Sequence, residues 1–107
     1  MDSVLDSLTR QLRQFAEQRD WEQFHSPKNL ASALSVEAAE LLEHFQWLTE
    51  DQSRKLDAAT KVAVGQEIAD VLLYLLQLAD KLGLDVADEA RKKLVLNGIK
   101  YPASPRA

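Results

Sequence analysis

Residues 66–76 read QEIADVLLYLL, and this stretch decides the fold. Val71 to Leu76 is apolar around the whole circumference of a helix, so every side of it has to be covered by other parts of the protein. Followed in both directions, the pattern gives a helix from about Ala59 to Leu82, stopped by Gly83, the residue type best suited to the left-handed turn after a helix. Glu67 and Asp70 stand beside the apolar run, three positions apart and therefore on one face. A carboxylate in such surroundings is costly unless it is paired, hydrogen-bonded or bound to a cation.

The same arrangement occurs upstream, in residues 34–48, LSVEAAELLEHFQWL. Ser26-Pro27 signals a helix start, because serine accepts an orphan N–H and proline suits the first helical position. From there a helix runs to about Leu48, with Leu30, Leu34, Ala38, Leu41, Phe45 and Leu48 in one seam and Glu37 and Glu40 sharing a face. Thr49 to Asp57 is a short polar connection with room for one helical turn. Two antiparallel helices joined in this way aim four carboxylates at one point. Oxygen donors of this kind suit Mg²⁺ or Mn²⁺. The competing reading is chance: a helical chain with seventeen acids will contain such spacings as surface salt bridges.

Outward from these two helices the rest of the chain falls into place. Asp2 or Ser3 caps a first helix that runs to about Gln18, with Val4, Leu5, Leu8, Leu12, Phe15 and Ala16 as its apolar stripe. Residues 20–25 break the period and form a loop. Asp85 caps a last helix that reaches about Lys100, and residues 102–107 form a loose tail. Three glycines and three prolines are too few for the many turns of a β-sandwich. The expected architecture is an all-α, four-helix bundle forming a single domain over residues 1–107. A chain of this size buries only about 60–65% of its unfolded surface, so a homo-oligomer is expected to complete the core.

Composition also excludes. Without cysteine there are no disulfides, thiolate zinc sites or cysteine nucleophiles. A net charge of −4 opposes binding to a nucleic-acid polymer. No unbroken apolar stretch has the length of a membrane span and the N-terminus has no signal-peptide layout, so a cytoplasmic protein is the default expectation.

Further side chains share the acidic faces. Tyr74 follows Asp70 by one turn, His44 follows Glu40 likewise, and Trp47 is within reach of the same side. Lys93, Asn97 and Lys100 form one face of the last helix, fit to grip polyphosphate beside a metal or simply to meet the helix dipole. Trp21, Phe24 and His25 in the loop can stack a nucleobase or staple the loop to the core. Glu22 and His25 form one E-x-x-H unit, of which a di-iron bundle needs two. Three readings remain open on residues alone: a metal-dependent enzyme, a non-enzymatic helical oligomerisation module, and a di-iron carboxylate bundle.

LSVEAAELLEHFQW followed by QEIADVLLYLL resembles the MazG-like all-α nucleoside triphosphate pyrophosphohydrolases. RDWEQFHSPKNL (residues 19–30) and KLVLNGIKYP (residues 93–102) narrow the resemblance to members similar to the dCTP pyrophosphatases. It covers roughly residues 8–102. It implies a Mg²⁺-dependent hydrolase, dimeric or a dimer of dimers, that cleaves a (deoxy)nucleoside triphosphate to monophosphate and pyrophosphate and cleanses nucleotide pools. By the same resemblance Glu37, Glu40, Glu67 and Asp70 hold metal, Trp21, His25, Trp47 and Tyr74 form the base pocket, and Lys93, Asn97 and Tyr101 contact phosphate. Glu37 or Glu40 is then the carboxylate that accepts a proton from the attacking water. Leu12 replaces a histidine of the eukaryotic members, and His44 stands where an apolar residue is expected.

Overall fold

Four side-chain caps set where the helices begin in the computed structural model, which describes residues 3–104. Ser26 accepts from the Asn29 N–H at 3.1 Å and starts α2 (Pro27–Glu43). Thr49 and Gln52 form a reciprocal capping box at α3 (Glu50–Ser53), the short turn expected in the connection. Asp57 starts α4 (Ala58–Lys81) and Asp85 starts α5 (Val86–Lys100). Preceding them, α1 spans Ser3–Gln18, and a single 3-10 turn, Glu22–Phe24, lies between α1 and α2. The caps expected at Asp2 or Ser3 fall on side chains outside the description, as do residues 105–107 of the tail.

Two helices end in the same way. After α1, Trp21 N–H donates to Ala16 O at 2.9 Å and Asp20 N–H to Glu17 O at 3.2 Å, with Asp20 at φ 56°. After α4, Leu84 N–H donates to Ala79 O at 2.8 Å and Gly83 N–H to Asp80 O at 3.2 Å, with Gly83 at φ 68°. Both are paired main-chain stops built on one left-handed residue. The helix carrying Glu37 and Glu40 is shorter than its periodicity predicts. It stops at Glu43, and residues 44–47 form tight turns, with Phe45 N–H bonded to Leu42 O and Leu48 N–H to Phe45 O. Phe45 and Leu48 keep the helical spacing by chance of register, while the backbone has already left the helix.

The architecture is all-α, with no strand among the described residues. α4 is the central element: it packs along α2 on one side and α1 on another. Leu30, Ala16, Val64, Leu76 and Ala79 are buried at these contacts, and Ala87 anchors the start of α5. This leaves the circumference of α4 incompletely covered, for Ile68 and Leu75 are exposed. Most of the apolar surface of α5 is uncovered as well, with Leu94 72% and Ile99 74% exposed. The radius of gyration, 17.2 Å, exceeds the roughly 13 Å of a compact chain of this length.

α4 also corrects an expectation. An eighteen-residue window of it has mean hydropathy 1.4, so by length and composition it is long and apolar enough to cross a membrane. A search for unbroken apolar runs stops at Glu67 and Asp70, whereas the helix as a whole averages over them. Those two acids face Glu37 of α2.

Candidate active site

Antiparallel packing of α2 on α4 converts two helix faces into one acidic cluster. Carboxylate oxygens of Glu37, Glu67 and Asp70 lie within 4.8 Å of one another. Glu40, the fourth acid expected here, stands one helical turn from Glu37 on the same face of α2, beside this group of three. Glu37 Oε2 and Glu67 Oε2 are buried and have no hydrogen-bond partner. Among the described residues no lysine or arginine forms an ion pair with any of the four.

The electrostatics follow from this crowding. Burial pushes the Glu37 carboxyl above its ordinary value, helped by the contact with Glu67 and the charges of Asp70 and Glu67, while Glu40 acts in the opposite direction. Glu40 is raised by its contact with Glu37, then by the charge of Glu37 and by burial. Each arrangement is unfavourable for a protein standing alone. Orphaned buried oxygens among like charges are what a bound cation relieves, and an all-oxygen donor set fits a hard divalent ion. The residues present therefore fit such a metal.

Next to the acids lies a cavity of about 170 Å³, lined by Leu12, Phe15, Ala16, Trp21, His25, Asp70, Leu73, Tyr74 and Gln77. Asp70 belongs to both the acid cluster and this cavity, so the two are one continuous site. The Trp21 ring meets Phe15 edge-on at 5.6 Å and His25 at 6.2 Å. The Arg19 guanidinium covers the Phe15 ring at 3.4 Å and bonds Phe15 O. A slot walled by aromatic and aliphatic groups, with a carboxylate at its edge, suits a flat heterocycle attached to a charged group.

The structure thus brings Trp21, His25 and Tyr74 together with the acids. It does not bring the remaining candidates there. Trp47 stands on the turn after α2, 87% exposed. Lys93 and Tyr101 are exposed and Asn97 half-buried on and after α5, and none of them lines the aromatic cavity. Asn97 O accepts the Tyr101 N–H at 2.7 Å, and Lys100 lies over the Tyr101 ring at 5.3 Å. His44 lines a separate cavity with Leu48, Asp51, Lys55, Asp57 and Thr60. Glu22 pairs with Lys81, and the acid cluster contains no histidine, which removes the support for a di-iron centre.

Sequence reasoning missed Leu73 and Gln77 as cavity residues. The signal was present, because positions 70, 73, 74 and 77 make one stripe on α4. Phe15 was placed only in the apolar stripe of α1; its second role needed the fold.

A model of the MazG-like family matches residues 32–106. The chain is 38% identical to human dCTP pyrophosphatase 1, with 95% of this chain and 61% of the human protein aligned. It is also 38% identical to the mouse dCTP pyrophosphatase 1, covering 94% and 61%. It therefore spans about three fifths of the length of these curated relatives. Among solved structures, a pyrophosphatase from Archaeoglobus fulgidus superposes with a TM-score of 0.88 at 39% identity, covering 96% of each chain.

Proposed function

The chain belongs to the MazG-like family, and we propose that it hydrolyses a nucleoside triphosphate, dCTP or a close analogue, to the monophosphate and pyrophosphate. One observation carries this reading: the carboxylates of Glu37, Glu67 and Asp70 converge, two with buried unpartnered oxygens, at the edge of an aromatic slot. The similarity to proteins named dCTP pyrophosphatase 1 supports the substrate class.

Glu37, Glu67 and Asp70, with Glu40 beside them, would hold Mg²⁺ or Mn²⁺. The chemistry that such an ion supplies when bound is neutralisation of phosphate charge and acidification of water. Glu37 or Glu40 accepts the proton of the attacking water. Trp21, His25 and Tyr74 take the base between them, and Asp70 ties that slot to the acids. Lys93, Asn97 and Tyr101 contact phosphate, and Trp47 closes over the base. Because these four stand away from the slot in one protomer, a second copy of the chain supplies them. The exposed apolar surface of α4 and α5 supports a homodimer or homotetramer, in which residues 1–107 act as one domain. We place this activity in the cytoplasm, with free nucleotides and without membrane or nucleic-acid polymer.

The test is to incubate the protein with Mg²⁺ and a panel of triphosphates and to identify the products chromatographically. Monophosphate with pyrophosphate, abolished by EDTA, is expected. Diphosphate with orthophosphate, or no turnover, overturns the reading. Light scattering that gives the mass of a single chain would remove the two-subunit site.

A further inference from the structure

The loop that carries Trp21 and His25 has no core of its own, since no residue of its 3-10 turn is buried. Besides the ring contact of Trp21 with Phe15 of α1, three polar attachments hold it. The stop after α1 fixes the Trp21 backbone on Ala16 O. Asn29 Nδ2 donates to Phe24 O at 3.0 Å and ties the other end to α2. The third is the ion pair of Glu22 with Lys81. Of these it alone reaches α4, the helix that brings Asp70, Leu73, Tyr74 and Gln77 to the opposite wall of the slot. The neighbouring pair of Arg13 with Asp80, with Nε to Oδ2 at 2.8 Å, joins α1 to the same turn of α4 and leaves the loop untouched.

The Glu22 and Lys81 side chains are 41% and 30% exposed, and a pair so open to water adds little to global stability. What it fixes is a distance. Stacking of a flat ring needs its two walls at a set separation, and an unbraced loop lets one wall drift.

We propose that Lys81 is a positioning residue for base recognition: through Glu22 it holds the Trp21–His25 wall against the Asp70–Tyr74 wall. This rests on reading the slot as the base site. Neither Lys81 nor Glu22 touches substrate, so their loss acts on binding of the base and leaves the acid cluster intact.

The experiment compares wild type, Lys81→Met, Glu22→Gln and the reversed pair Lys81→Glu with Glu22→Lys, in the full chain with Mg²⁺ and dCTP. Each single variant raises KM about twofold to fivefold with kcat unchanged, and the reversed pair recovers most of the loss. In a Trp47→Phe background without ligand, Lys81→Met shifts the emission of Trp21, which reports the wall directly. An unchanged KM in an active Lys81→Met enzyme overturns the proposal, as does a KM rise that the reversed pair fails to recover. Absence of triphosphate turnover by wild type sinks the base-site reading itself and this inference with it, so the two failures are distinguishable.

Discussion

Glu37 of α2 and Glu67 of α4 meet across the helix seam, each with one buried carboxylate oxygen that no donor satisfies. Such an arrangement opposes folding in the absence of a cation and favours it in its presence. Glu37→Gln or Glu67→Gln should therefore raise the melting temperature in EDTA. The same variants should lose the stabilisation by Mg²⁺ that wild type shows, about 2.7 kcal/mol at a hundredfold excess over Kd. Pyrophosphate release should fall by about a hundredfold or more. Scanning calorimetry with and without Mg²⁺ checks all but the last, and a melting temperature lowered in EDTA would show that the acids are structural.

Trp21 supplies one face of the aromatic slot. Replacing it with alanine removes base stacking worth about 1–3 kcal/mol. KM for dCTP should rise by about tenfold to a hundredfold, with kcat less affected. Initial rates over a range of substrate concentration measure the split. An unchanged KM would leave Trp21 as a staple between loop and core.

Asp80 provides the pH-dependent contribution that is easiest to isolate. Its hydrogen bond from Arg13 holds the carboxyl below the ordinary value of 3.8, burial opposes this, and the charges of Arg13 and Lys81 add to it. A depressed folded pKa contributes stability that is fully present well above 3.8 and is lost as pH falls through the folded value. The stability difference between wild type and Asp80→Asn should thus be constant near neutral pH and shrink in acid. Urea titrations across that range read the difference, and a gap that widens in acid would contradict the sign.

Leu30 is 1% exposed, the most deeply buried large side chain of the core. Leu30→Ala should cost about 2–5 kcal/mol by urea unfolding. Gly83, at φ 68° after α4, should tolerate alanine at a cost of about 1–2 kcal/mol, since a Cβ is disfavoured in that backbone region. A neutral Gly83→Ala would mean that the chain can end α4 in another way.

Much of this was legible from the amino acids. Helix starts were readable at Ser26 and Asp85 because a side-chain cap is a local event. The meeting of Glu37 with Glu67 and Asp70 followed from face periodicity and a short connection, whereas Glu40 stands beside that group. The end of α2 was not legible: Phe45 and Leu48 continue the apolar spacing through turns that only backbone hydrogen bonds reveal. Nor was the separation of Trp47, Lys93, Asn97 and Tyr101 from the slot, because a spacing within one helix does not say how far that helix stands from another. The Glu22 bridge to Lys81 joins positions with no periodic relation, so it needed the fold.

The stop after α1, built on Asp20 and the main-chain bonds of Trp21, counts residues and takes little notice of their chemistry. Natural and engineered variants should accordingly be permissive in side chains at Glu17 and Gln18 yet rigid in length from there to Trp21. A single inserted amino acid would rotate the indole away from its seat, so alignment gaps are expected to avoid this corner even where composition drifts freely.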